Sequence, residues 1–197
     1  MIKKHSYIPR ITLDSRDGVG YINILNPKTL LGELLKPDHI YQFDTVFGNV
    51  VSVRRVMEYI NRVDYPVKFL TKKKLTHIDV KRIKKCEIKH VKHYWAFILY
   101  VLIKRVSKDT KLRELMLNNT LEYVALDEGV IEEELFNKKI EVKKHLTKLS
   151  YYTSCIRIVD ELLKTGKLDD NEHISKLLDN EVNGDFFNKL TNINKLV

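Results

Sequence analysis

The sequence is poor in cysteine, proline and glycine, and it has no long apolar run. Two cysteines, Cys86 and Cys155, in 197 residues are too few for a disulfide scaffold and show no Cys-x-x-Cys spacing. Both read as buried, inert thiols in a reducing compartment. Four Pro and seven Gly exclude collagen-like and linker-dominated chains. The most apolar window, Tyr94 to Ile103, holds ten residues and rises about 15 Å as a helix, half of a bilayer core. It is bounded by Lys92-His93 and Lys104-Arg105, so it reads as a central buried helix that re-emerges at Lys104 and Arg105. No membrane span is expected. The N-terminus, MIKKHSYIPRITL, lacks the apolar stretch of a signal peptide. The expected location is cytoplasmic (the host cytoplasm if phage-encoded, since enrichment in Lys, Ile and Asn is typical of AT-rich genomes, phages among them).

What is present suits a chain with a core: 44% hydrophobic and 31% charged residues, outside the disordered range. The expected fold class is α+β, mainly α. A single domain over 1–197 is expected, with a β-rich part over 1–48 and a helical body over 49–197. Ile8 to Leu13 and Val19 to Leu25 are β-like runs around the turn residues Asp14 to Gly18, which predicts a small N-terminal hairpin or sheet. Ile40 to Phe43 reads as a further strand. Asn49 is a candidate cap for a helix whose Val53, Val56, Met57, Ile60 and Val63 recur at helical spacing. Thr76 to Asp79 reads as a capping box opening a helix with Val80, Ile83, Ile88 and Val91 inward. Thr110 is the candidate cap of a helix carrying Leu112, Leu115 and Met116. Leu121 to Leu126 fits a strand or a buried helical segment. A long helix is predicted near 140–164, with Val142, Leu146, Leu149, Ile156, Val159 and Leu163 on one stripe. It stops at Thr165-Gly166-Lys167. Short helices follow at Glu172 to Leu178 and Asp185 to Leu190.

The charge is unevenly placed. Residues 54–111 hold 17 Lys and Arg against 5 Asp and Glu, and the remainder holds 18 against 21. The net +9 of the chain therefore belongs to its middle. It is densest around Lys72, Lys73 and Lys74 and along Lys81, Arg82, Lys84, Lys85 and Lys89. Such a surface attracts a polyanion through counterion release and steering, which points to nucleic acid as the partner. An acidic protein is the alternative. Tyr65, Phe69, Tyr94 and Trp95 are nearby aromatics that could stack on bases, although apolar runs around them favour the core. His90 and His93 stand three apart, a spacing able to hold a metal, but flanking lysines disfavour a cation and Cys86 adds no complete ligand set. No metal and no cofactor is expected. No Gly-rich phosphate loop is present. Glu132 to Glu134 suit a helix N-terminus. Asp127 and Glu128, at the end of an apolar run, are candidate acid–base groups.

Three stretches resemble the NADAR family. They are Trp95 to Val106 (WAFILYVLIKRV), Asp109 to Leu117 (DTKLRELML) and Leu121 to Leu126 (LEYVAL). The upstream Gly48 to Val53 (GNVVSV) resembles the family segment that leads into a helix, and the whole resemblance covers about residues 48–128. The resemblance implies a mainly helical protein acting on NAD- or ADP-ribose-like nucleosides. The family acid after Ser-Val is Arg54 here, with Glu58 one turn on, and the downstream acid falls at Asp127 or Glu128. Glu58, Asp127 and Glu128 are thus the implied catalytic carboxylates, as N-glycosidic cleavage relies on such a group, and Trp95 is the implied ligand-stacking residue. The implied function is removal or binding of ADP-ribose on DNA or RNA bases, with ADP-ribosylated nucleic acid as partner, plausible for a phage counter-defence factor. The alternative is a non-enzymatic basic phage regulator or inhibitor that needs only the lysine-rich surface.

Overall fold

The computed structural model describes residues 17–91, 93–125 and 148–182. The chain runs β1 (Tyr21–Asn23), α1 (Leu30–Leu35), β2 (Phe43–Thr45), β3 (Gly48–Val50) and α2 (Val53–Asn61). A 3-10 turn, Val67–Phe69, precedes α3 (His77–Lys85). Then come α4 (Tyr94–Lys108), α5 (Thr110–Leu117), β4 (Glu122–Val124), α6 (Lys148–Lys164) and α7 (Asn171–Val182). The fold is α+β and mainly α.

The strands are short and pair in two separate sets. β1 does not form a hairpin with the preceding residues that are described. It lies parallel to β4, with Ile22 opposite Tyr123, a pairing that needs a long crossover between the two strands. The run Ile8 to Leu13 lies outside the described residues. β2 and β3 form the antiparallel hairpin, with Phe43 opposite Val50 and Thr45 opposite Gly48. The strand expected at Ile40 to Phe43 therefore starts three residues later. Asp44 and Gly48 belong to the hairpin, so β structure crosses residue 48 and recurs at β4. The Thr45 hydroxyl closes the turn by donating to the Gly48 carbonyl and accepting from Phe47 N–H.

Local capping sets the helix starts. Thr29 caps α1 by accepting from Gly32 N–H at 3.1 Å. Gly32 is required by packing, because a Cβ there would stand 2.6 Å from both the Asn23 carbonyl oxygen and the Pro27 Cβ. Ser52, not Asn49, caps α2. Asn49 sits in β3 and donates to Asp44. Val53, Val56, Met57 and Ile60 face inward as their spacing predicts, while Val63 lies beyond the helix and is exposed. Asp109, rather than Thr110, caps α5 through Leu112 N–H.

The core is built on α4. Ile98, Leu99 and Val101 are wholly buried, and the helix packs against α6, α2, α5, α7 and β2. Two features differ from expectation. Phe97 keeps 39% of its surface exposed. Arg105 does not return to water: it is 0% exposed and donates to the Leu34 and Lys36 carbonyls at the C-terminal end of α1. The only outward strip of α4 is Phe97, Tyr100, Lys104 and Lys108, repeated at helical spacing. On α6, Ile156, Val159 and Leu163 are buried as expected. Val142 and Leu146 lie outside the described residues, as do the expected helices at 131–136 and 185–190. α7 is longer than its expected span of Glu172 to Leu178.

Candidate nucleic-acid interface

The lysine-rich segment is an excursion from the body of the protein. It leaves after α2 and returns beside the same point. Val63 N–H donates to the Glu87 carbonyl at 2.9 Å, and Lys89 N–H donates to the Asn61 carbonyl at 2.8 Å. The Arg62 guanidinium fastens the neck by donating to the Cys86 carbonyl at 3.1 Å. Between these ties, Tyr65, Phe69, Leu70 and Ile83 are the buried residues that anchor the excursion to the core.

α3 begins at the capping box read from the sequence. The Thr76 hydroxyl accepts from Asp79 N–H at 3.2 Å, and the Asp79 carboxylate accepts from Thr76 N–H at 2.7 Å. Lys72 Nζ donates to the same carboxylate at 2.5 Å. The Lys72 bond, the Thr76 bonds and the Lys72 charge together bring the Asp79 pKa down to about 2. Lys72 is consequently the one lysine of its triplet already committed to an acid. Its ammonium also lies 5.9 Å from the Phe69 ring centre, as does that of Lys68.

The other sequence-derived cations remain available. Lys73, Lys74, Lys81, Arg82, Lys84, Lys85 and Lys89 are all exposed. No ion pair joins any of them to an acid among the described residues. They do not all lie on one helix: α3 ends at Lys85, and Lys89 belongs to the returning strand-like segment. Of the apolar residues expected to face inward from this helix, only Ile83 is buried. Val80 and Ile88 are exposed, Val91 is half-buried against the core, and Ile78 on the same helix is 77% exposed. Helix α3 therefore presents charge and some apolar surface together.

Of the candidate site residues from the resemblance, Glu58 and Trp95 are among the described residues. Glu58 is partly buried and points to Arg54, with Nε to Oε1 at 3.8 Å. Asp127 and Glu128 lie outside the described residues. Trp95 is buried, with Tyr151 stacked on it at 5.2 Å and an interplanar angle of 24°. Among the other sequence-chosen aromatics, Tyr65 and Phe69 are buried and Tyr94 is half-buried. Burial pushes the Tyr65 hydroxyl up to about 12, and its oxygen has no hydrogen-bond partner. Cys86 is only half-buried, its thiol directed at the Arg82 and Asp64 carbonyls, whereas Cys155 is fully enclosed. Among the described residues no group of three or more His, Cys, Asp or Glu is placed to hold a metal.

A second feature was not singled out by sequence reasoning. Five rings touch in series from the base of the excursion outward. Phe69 meets Tyr65 at 5.9 Å, Tyr65 meets Tyr59 at 6.1 Å, Tyr59 meets Phe47 at 5.7 Å, and Phe47 meets Phe97 at 6.1 Å between ring centres. Phe47 and Tyr59 are half-buried and Phe97 is exposed. One turn along α4 from Phe97, at Tyr100, an open groove of about 460 Å³ separates the β2–β3 turn from α4. Asp44 and Val46 line one wall, and Tyr100, Lys104 and Lys108 the other. Lys104 Nζ lies 5.6 Å from the Tyr100 ring centre. The sequence signal for this wall is the spacing of Phe97, Tyr100 and Lys104, which places them on one side of α4. It is obscured because every residue from Tyr94 to Ile103 is apolar or aromatic.

No helix of the described residues is long and apolar enough to cross a membrane. No family model matches the chain, and neither does any curated protein or solved structure compared with it.

Proposed function

We propose that this chain binds nucleic acid through the excursion formed by residues 62–89. The observation that carries this reading is the exposed set Lys73, Lys74, Lys81, Arg82, Lys84, Lys85 and Lys89, which lacks acidic partners among the described residues. A solvated helix that only confers solubility normally intersperses both signs. Here the acid on α3, Asp79, is consumed by the helix cap and Lys72. The free cations can therefore meet phosphates without first breaking internal ion pairs.

The test is binding of a fluorescent oligonucleotide as salt is raised. The logarithm of the affinity should fall linearly with the logarithm of salt, by a slope of about 0.9 per phosphate contact on duplex DNA. The triple substitution K81Q/K84Q/K85Q should flatten that slope and weaken binding without lowering the melting midpoint, since all three side chains are exposed. Absence of binding to DNA and RNA at low salt would overturn the proposal and leave an acidic protein as the partner to seek.

The enzymatic form of the reading, removal of ADP-ribose from nucleic-acid bases, rests on the NADAR resemblance. It assigns the carboxylate to Glu58, Asp127 or Glu128. Hydrolysis of ADP-ribosylated DNA by the intact chain, lost on E58Q, D127N or E128Q, is its test. No release by the unsubstituted chain would remove the enzymatic form and leave the binding function in place.

A further inference from the structure

We infer that the preferred ligand is single-stranded, with unpaired bases received by the exposed Phe97 ring and the half-buried Tyr100 ring on the outer side of α4. This rests on the nucleic-acid reading above and narrows its substrate class.

Duplex binding needs only charge at phosphate spacing. The structure offers something more beside the charge. In the ring series Phe69, Tyr65, Tyr59, Phe47 and Phe97 the first two rings are buried and the next two half-buried against the core, so they support the last, Phe97, which is exposed. Phe97 then leads along α4 to Tyr100, with Lys104 over its ring and Lys108 a turn further. Rings and cations thus follow one another in a short band along the outer side of α4: Phe97, Tyr100, Lys104 and Lys108. That combination is what a single strand requires: ammonium groups follow the backbone while ring faces take the bases, and every base has such a face. The groove is open rather than enclosed and carries a single acid, Asp44, which is already engaged by Asn49 Nδ2 at 2.8 Å.

The exposure of Phe97 is not a by-product of poor packing. Ile98, Leu99, Val101 and Leu102 around it are almost completely buried, so α4 has ample apolar surface for the core without it. An apolar ring left outside such a core, next to lysines, matches a base better than it matches water. A duplex buries its base faces in its own stack and cannot use the band.

The test compares three labelled probes of equal length with the full chain: oligothymidylate, its duplex with oligoadenylate, and an abasic single strand that keeps the phosphates and lacks bases. Oligothymidylate should bind tightest at matched salt. Phe97→Leu and Tyr100→Leu retain apolar volume and remove the ring faces. Each should reduce oligothymidylate affinity by about tenfold and bring it toward that of the abasic strand. Lys104→Gln should lower the salt slope on oligothymidylate. Melting midpoints of the variants report folding, and Phe97→Ala provides a second substitution at the most exposed ring. Equal binding of all three probes, or base discrimination that survives both ring substitutions, overturns the single-strand assignment while the basic surface keeps its role. Failure of every probe to bind at low salt overturns the nucleic-acid reading itself.

Discussion

The Tyr152 hydroxyl donates to the Leu35 carbonyl at 2.9 Å, across 117 residues of chain. Both residues are wholly buried. The bond occupies one of the carbonyls that the C-terminus of α1 leaves without an intrahelical partner. Arg105 takes the neighbouring carbonyls of Leu34 and Lys36. One short helix is thereby tied to α4 and α6 through its backbone oxygens. Burial pushes the Tyr152 hydroxyl well above its ordinary pKa, so it serves as a neutral donor.

Tyr152→Phe should keep the packing and leave the Leu35 carbonyl without that donor. The expected cost is about 1–3 kcal/mol, measured as a shift in the urea midpoint at unchanged slope. Arg105→Lys should be more disruptive than its charge conservation suggests. A single ammonium cannot reproduce the fork that reaches both carbonyls, and the shorter head leaves a buried void. An unchanged midpoint for R105K would show that the Arg105 bonds to the Leu34 and Lys36 carbonyls add nothing to what Tyr152 and the apolar contacts of α1 supply.

Helix α3 should be acid-sensitive at its N-terminus. The Asp79 pKa is lowered from 3.8 to about 2, first by the Lys72 hydrogen bond and then by those of Thr76. A depressed carboxylate stabilises the folded form above its ordinary value, and that contribution disappears as pH falls through the depressed one. The protection factors of amides in residues 76–82, exchange rates relative to those of the unfolded chain at the same pH, should therefore fall between about pH 4 and pH 2, while the α4 amides stay protected. Asp79→Asn should lower these protection factors at neutral pH and abolish their dependence on acid. If the acid dependence persists in D79N, another group is responsible.

Leu99→Ala and Phe97→Ala, two positions apart on α4, should differ sharply. Leu99 is wholly buried, so its truncation should cost about 2–5 kcal/mol through lost burial and a cavity. Phe97 is exposed and its ring contact is with Phe47. Its loss should cost about 0.5–1.5 kcal/mol, the range of a single aromatic pair. Equal costs in thermal melts would mean that Phe97 is covered by another part of the chain.

Gly166 ends α6 with φ at +71°. Its N–H donates to the Leu163 carbonyl and the following Lys167 N–H donates to that of Leu162, at 3.1 and 2.8 Å, the Schellman arrangement. A Cβ here would meet nothing within 4 Å. Gly166→Ala should thus report the left-handed backbone cost alone, about 1–2 kcal/mol. Gly166→Asn should cost less, because Asn visits this conformation more readily. Chemical denaturation of both variants checks the order.

The sequence alone determined what depends on neighbours a few residues apart. The Thr76–Asp79 box, the Gly166 stop and the inward stripe of α2 follow from local hydrogen bonding and helical period. The concentration of charge over 54–111 is likewise a property of order along the chain. Tertiary structure decided what depends on distant partners. Three-residue strands such as Tyr21–Asn23 carry too little pattern to select a partner, so the pairing with Glu122–Val124 is settled by packing. Arg105 reads as a helix end meeting water because its acceptors, Leu34 and Lys36, lie about seventy positions away and are invisible locally. Phe97 and Tyr100 are apolar like their neighbours. Only the placement of α6, α2 and the β2–β3 hairpin around α4 determines which apolar residues are enclosed and which are left on the outer side, since a helix has a full circumference and the elements packed on it cover only part.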